Sequence, residues 1–423
     1  MAGTKAVCRN RRSIIYISLV SFCCSLVLGT IVPSALADGV DSCASLRSMA
    51  RVYMASGGYA KAQPFLERAL HLAQGVNASG PEACACMLDL AYLYKNQGKL
   101  TEAESMCRLG LALQQKVYHE DHPYVAHTLR ILSEIHRRQA RYPEAASALE
   151  RAITIIRDVS RGDDLELAPF KVDMARLLIA QGEFAKAESH FKAAIEVIET
   201  SYGPEHSYTA RVLASMAELY ILQERYAEAE TLISRTLSIQ ERVYGPDHPF
   251  LVPVWLIASK SRQAAGDLVN AKAFLDRALE AVENDAGSAD LVKSDVLNGL
   301  GEFYIVNQEY DKAEDVLRKA LKILDSVQNT QSRRVARALN SLAKVYVYQG
   351  DYAAAQPLCR RALGMSERIL GQYHPSVADV LETLVQLHRQ TGDIAEADRL
   401  QQRIKDIRMR RRVDHAPVAT AIR

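Results

Sequence analysis

No charge of one sign dominates this sequence. Its 423 residues carry 52 Lys and Arg against 50 Asp and Glu, a formal net charge of +2. That surplus is too small to argue for a nucleic-acid partner or a membrane surface. Aromatic residues are few, 7%, with a single Trp, yet 48% of the chain is hydrophobic and 24% charged. Such a balance supports a large ordered protein, well clear of the disordered regime. Chemical signatures are lacking as well. There is no Gly-rich phosphate loop, no paired zinc signature and no nucleophile elbow, so neither an enzyme nor a cofactor is expected. Cysteines build no framework. Beyond residue 37 only Cys43, Cys84, Cys86, Cys107 and Cys359 remain, an odd and scattered set that fits neither a disulfide scaffold nor a metal site. Buried thiols are the expectation; a bridge from Cys43 to Cys84 or to Cys86 is the alternative.

The N-terminus reads as an address. Lys5, Arg9, Arg11 and Arg12 precede an apolar run from Ile14 to Val32, and Ala35-Leu36-Ala37 stands before Asp38. A basic start, an apolar stretch and small residues at −3 and −1 mark a secretory signal, with Ala35 and Ala37 as the cleavage residues. The rival reading is an uncleaved membrane anchor. Loss of residues 1–37 removes four basic side chains and leaves 48 against 50 acidic ones, a nearly neutral exported protein, periplasmic or secreted.

What the chain has in abundance is itself. Ala62, Ala103, Ala145, Ala187, Ala229, Ala271, Ala313, Ala355 and Ala397 are spaced by 41 residues once and by 42 thereafter. Three residues before each alanine stands an aromatic or large aliphatic residue, from Tyr59 to Ile394. Five before it there is often a glycine, as at Gly57, Gly98, Gly182, Gly266, Gly350 and Gly392. Twelve before it and seven after it the residues are mostly small. Within a unit, Leu213, Met216, Leu219–Tyr220, Ala229, Leu232–Ile233 and Leu237 recur at three and four, the helical period. Each unit is therefore expected to be two helices, A and B, joined at the Gly-x-aromatic break. Small residues let the helices approach, and the units must stack to bury their apolar faces.

This pattern resembles the tetratricopeptide repeat, in the long form found in kinesin light chains and nephrocystin-like proteins. The family's usual period is about 34 residues; eight more add about one turn, or about 6 Å, to each helix. The resemblance implies an all-α, right-handed α-solenoid. Its nine units run at about 42–80, 81–122, 123–164, 165–206, 207–248, 249–290, 291–332, 333–374 and 375–412, before a frayed tail at 413–423. It implies a scaffold that binds a protein or peptide partner in a concave groove lined by the A helices, and no motor. A structural or assembly role through lateral or end-to-end contacts is the alternative; an anchored accessory subunit of an enzyme complex comes behind it. Membrane contact is expected only if the N-terminal segment is retained.

Two sets of residues invite a chemical reading. His122, His206, His248 and His374 recur in the loops "YHEDHP", "YGPEHS", "YGPDHP" and "LGQYHP". Stacked layers lie about 10 Å apart, whereas zinc ligands sit about 2 Å from their ion, so a structural role is expected. Asp121, Glu205 and Asp247 would accept from amides at the coming helix start, Pro123, Pro249 and Pro375 would fit its first turn, and the histidines would bond the loop backbone. The second set lines the groove, at positions fifteen, eleven, eight and seven before the repeat alanine, all expected to be exposed. Fifteen before it stand Asn298 and Asn340, whose amides could clamp an extended backbone. The family resemblance implies that role for these two alone; an Asn bonding its own helix is the alternative. Eleven before it the series includes Glu218, Lys260, Glu302 and Lys344, alternating in sign. Inter-repeat salt bridges are the preferred reading and a groove for a mixed-charge peptide the other. Arg130, Arg137 and Arg138, and Arg337 with Lys344, are basic spots that could hold a carboxylate.

Overall fold

The computed structural model describes residues 42–55, 58–139, 141–160, 164–284, 290–326, 333–370 and 372–413. The signal reading with Ala35 and Ala37, Gly57, and all of the tail except Val413 lie outside them. Eighteen α-helices follow one another. They are α1 (Cys43–Ala55), α2 (Tyr59–Asn77), α3 (Pro81–Gln97), α4 (Leu100–Tyr118), α5 (Pro123–Arg138), α6 (Tyr142–Ser160), α7 (Asp164–Gln181), α8 (Phe184–Tyr202) and α9 (Ser207–Leu222). There follow α10 (Tyr226–Tyr244), α11 (Val252–Ala264), α12 (Leu268–Asn284), α13 (Asp290–Val306), α14 (Tyr310–Ser326), α15 (Arg333–Gln349), α16 (Tyr352–Leu370), α17 (Pro375–Gln390) and α18 (Ile394–Val413). Among the described residues there is no strand, and no helix is long and apolar enough to cross a membrane.

The helices pack in consecutive pairs, and each even-numbered helix then packs on the odd one that follows. The result is an all-α solenoid. All nine repeat alanines are 0% exposed, because each lies at a crossing where any larger side chain would push two helices apart. The position twelve before is as tight. A Cβ on Gly301 would stand 2.6 Å from Leu317 Cγ.

The A-to-B turn is a helix C-cap of one design. Gly98, Gly182, Gly266, Gly350 and Gly392 all have φ of 80–82°. The next residue's amide reaches back five positions, as in Lys99 to the Tyr94 carbonyl at 2.9 Å and Asp351 to the Tyr346 carbonyl at 2.9 Å. This is the left-handed cap that glycine adopts without Cβ strain. Glu224 (φ 62°) and Gln308 (φ 60°) take the same conformation where glycine is lacking, so stacking imposes the turn even on residues that dislike it.

The loop from B to the next A is built around its histidine. Nδ1 of His122, His206, His248 and His374 accepts from the amide two residues on, at 3.2, 3.2, 3.1 and 3.1 Å. The histidine is the N-cap of the coming helix or 3-10 turn, which corrects the expectation that Asp121, Glu205 and Asp247 would accept those amides. Glu205 instead pairs with Arg242, and Asp247 with Arg277 at 3.6 Å. A tyrosine from the preceding helix stacks on the ring: Tyr118 on His122 at 4.6 Å and Tyr202 on His206 at 4.8 Å. Arginines of the following B helix close the loop from outside. Arg235 donates to the Pro204 carbonyl at 2.9 Å and Arg277 to that of Pro246 at 2.8 Å.

One asymmetry sets the curvature. Every A helix packs on the next A helix, whereas no comparable packing joins successive B helices among the described residues. The A helices therefore form the inner layer and the B helices splay outside it.

Candidate partner-binding channel

The inner wall is a staircase of A-helix residues, and its polar groups are mostly spoken for. Position −15 of one unit meets position −14 of the next. Arg47 Nε bonds Asp89 at 2.6 Å, Arg130 Nη1 bonds Asp173 at 3.1 Å, and the Thr383 hydroxyl donates to Asn340 Oδ1 at 2.9 Å. The same register brings Leu256 within 3.3 Å of where a Cβ on Gly299 would stand. Position −15 is thus a junction between units.

This changes the reading of the two asparagines. Asn298 and Asn340 are 4% and 7% exposed, against the expected exposure at −15. Asn340 spans α15 and α17, accepting from Thr383 and donating to the Asp379 carbonyl at 3.5 Å. Asn298 donates to Glu302 Oε1 one turn on at 3.2 Å, and its Oδ1 is buried without a partner among the described residues. The amide of Asn340 is engaged between units and that of Asn298 along its own helix.

The charges at −11 remain in the open channel but do not bond one another. Glu302 is held by Arg337 through two hydrogen bonds, Nε at 2.8 Å and Nη2 at 2.6 Å. Against the desolvation of its setting, Arg337 and then Lys260 and Lys344 keep the Glu302 carboxyl below the usual range. Glu218, Lys260 and Lys344 form no ion pair among the described residues. Glu218 is pushed up by desolvation in the crowded channel, although Arg176, Lys260 and Arg333 pull the other way. Salt bridges do join repeats at this position, Glu302 to Arg337 of the next unit at 2.6 Å and Arg51 to Asp89 of the next unit at 3.1 Å, but among the described residues no two −11 residues pair with each other. Glu302's partner Arg337 stands at −18 of the next unit, a pairing that the alternating series did not reveal.

Basic side chains gather on the same wall. Glu134 sits between Arg137 at 2.8 Å and Arg138 at 2.7 Å. Opposing its desolvation, those arginines and Lys95 bring its pKa to about 2. Lys95, desolvated and beside Arg138, falls to about 8. Arg130 and Arg176 share Asp173, at 3.1 and 3.3 Å. With Tyr208 and Arg211 they line a small pocket of about 30 Å³. Desolvation, and then the charges of Arg137, Arg337 and Arg138, lower the pKa of Arg333 on α15. Sequence reasoning missed Asp89, Asp173 and Thr383, although a signal was present: each lies 42 or 43 residues after its partner.

The tetratricopeptide-repeat family model matches residues 82–158, 167–232, 208–284, 292–365 and 334–410, and a second model of that family matches 45–77. The chain belongs to the tetratricopeptide repeat family. No curated protein matches it. Among solved structures, the Rap protein in complex with competence and sporulation factor is 16% identical, with a TM-score of 0.50 over 79% of this chain and 99% of its own. BtubC (BKLC) from P. vanneervenii is 16% identical, with a TM-score of 0.45 over 54% of this chain and 92% of its own. A putative kinesin light chain with TPR-like repeats from Podosopora anserina is 21% identical, with a TM-score of 0.38 over 47% and 95%. Tetratricopeptide repeats are interaction modules that bind protein or peptide partners and are typically not catalytic, so this chain is a scaffold for protein–protein interaction.

Proposed function

We propose that the chain is an exported scaffold that binds an extended, mixed-charge segment of a partner in the channel lined by its A helices. The observation that carries this reading is the set of −11 charges. Lys260 and Glu218 face solvent, stand in a crowded channel with Lys344, and lack ion-pair partners among the described residues. Exposed charges that no described group of the chain answers are available to a partner's opposite charges, which would steer its approach and fix its register. The Glu302–Arg337 pair beside them supplies a forked group for register. The Rap protein, whose structure holds a separate factor, has the same fold.

The test is capture from the protein's own extract with wild type and with Lys260→Glu/Lys344→Glu. A partner held by wild type and lost by the variant, with helicity unchanged by circular dichroism, supports the channel. Capture that survives both reversals refutes it, and a size that grows with concentration in light scattering would point to assembly instead. Export is tested separately: N-terminal sequencing of the secreted protein should begin at Asp38, and a chain that keeps residues 1–37 in the membrane overturns that part.

A further inference from the structure

The five cysteines of the described region are all buried and all free thiols, but two of them touch. Cys43 opens α1 and Cys86 lies in the middle of α3, and their Sγ atoms stand 3.2 Å apart. A disulfide sets its sulfurs about 2.0 Å apart, so an approach of about 1.2 Å joins them. The neighbourhood is already fixed in register. One turn along each helix, Arg47 bonds Asp89 at 2.6 Å, and Arg51 reaches the same carboxylate at 3.1 Å. Leu46, Ala69, Ala73 and Ala83 enclose the pair. Cys84 is the sequence rival, but two residues along a helix it points about 200° away, and its charge acts on Tyr118 of α4. Cys107 and Cys359 lie in other core clusters, with Ala91 and with Ala343.

We propose that Cys43 and Cys86 form a disulfide that fastens the first repeat to the second. The position is where such a bond matters most. Among the described residues the first repeat has a neighbour on one side only, and a repeat so placed frays first. The bond closes a loop that contains the whole of α2, and it restrains α1 from its first residue.

The chemistry is exchange with an oxidant disulfide. One protein thiolate attacks a sulfur of the oxidant, breaks its S–S bond and releases one small thiol; the second protein thiolate then displaces the remaining oxidant sulfur from the mixed disulfide. The two protein thiols lose two electrons and two protons, and the oxidant leaves as two thiols. Desolvation and the hydrogen bond shared with Cys43 push the Cys86 thiol up to about 12, so little thiolate exists in the closed, reduced protein. Oxidation therefore proceeds as α1 opens or during folding. The pairing follows from packing alone, and only its persistence in a cell needs the export reading, since a reducing compartment would remove it.

The experiment uses the full chain, expressed with its own N-terminal segment, unfolded with reductant and refolded in oxidised glutathione. After alkylation of remaining thiols, peptide mapping without reduction should find Cys43 joined to Cys86 in wild type and in Cys84→Ser. The cross-link should vanish in Cys43→Ser and in Cys86→Ser. Amide exchange over α1 should slow by about tenfold or more on oxidation of wild type and stay unchanged in Cys43→Ser. Alkylation of both Cys43 and Cys86 in the refolded wild type, a link to Cys84, or a glutathione adduct standing alone on Cys43 would overturn the proposal.

Discussion

His119 occupies a backbone conformation made for glycine, and replacing it should stabilise the protein. The B-to-A loops place Gly203 at φ 89°, ψ 158° and Gly245 at φ 95°, ψ 158°. His119 holds the equivalent place at φ 71°, ψ 165°, a region that is essentially glycine's own. A side chain there costs about 1–3 kcal/mol. His119 is exposed and so recovers little of that by packing. Against this stands the greater chain entropy glycine loses on folding, about 0.5–1 kcal/mol. His119→Gly is therefore expected to gain about 1 kcal/mol, read as a raised urea midpoint at constant slope. The mirror experiment is clean. A Cβ added to Gly203 or Gly245 meets nothing within 4 Å, so Gly203→Ala and Gly245→Ala test backbone strain without crowding. Each should lose about 1–2 kcal/mol by the same ledger reversed. A His119→Gly midpoint at or below wild type, together with neutral alanine variants, would show that the stack does not impose this loop geometry.

Other perturbations follow from the caps, the crossings and the channel. The Nδ1 caps need neutral rings, and desolvation lowers the pKa of both His122 and His206. Their stabilisation is thus full above the unfolded value near 6.5 and is lost as pH falls through the folded value. Melting temperature should drop from pH 6.5 to 5, and drop less in His122→Asn/His206→Asn, since Asn caps without titrating; equal slopes would refute the cap. Gly301→Ala should cost about 1–3 kcal/mol through overpacking on Leu317. Leu317→Ala in the same chain should recover part of that cost, and additivity in the double-mutant cycle would deny the contact. Lys95 should titrate near 8 by NMR of its side chain. Arg138 and Arg130 lower that value while Glu134 and Asp173 raise it, so Glu134→Gln should move it further down. A Lys95 that titrates as an ordinary lysine would mean that the channel is more open than described.

Period and composition made the scaffold readable, because a crossing that recurs every 42 residues writes its steric demand into the sequence nine times. The repeat alanines, the turn glycines and the small residues at −12 announce buried contacts, and burial is what the period encodes. The N-cap was misassigned for a physical reason. Asp and Glu are the ordinary acceptors, and nothing in "YGPDHP" shows that a tyrosine one turn back would orient an imidazole Nδ1 onto the amide. The channel was legible only in part. Position −15 faces inward on an isolated helix, but a neighbouring A helix covers it, and that depends on how closely successive A helices approach. Whether Asn340 meets a ligand or Thr383 is a question of one residue's register between units, which periodicity within a unit does not contain.

The −15 to −14 junctions have a mechanical consequence. Directional bonds lock three joints: Arg47–Asp89, Arg130–Asp173 and Asn340–Thr383. Between them the equivalent sites include Leu88 with Ile131, Ala214 with Ile257, and Leu256 with Gly299, apolar or small pairs that pack without direction. Where the −15 to −14 pair between the fifth and sixth units supplies no directional bond, the outer side does: Arg262 of α11 bonds Glu230 of α10, and Arg277 of α12 donates to the Pro246 carbonyl at 2.8 Å. Successive joints thus hold their angle by different means, over an apolar core that runs unbroken from Ala168 to Phe303.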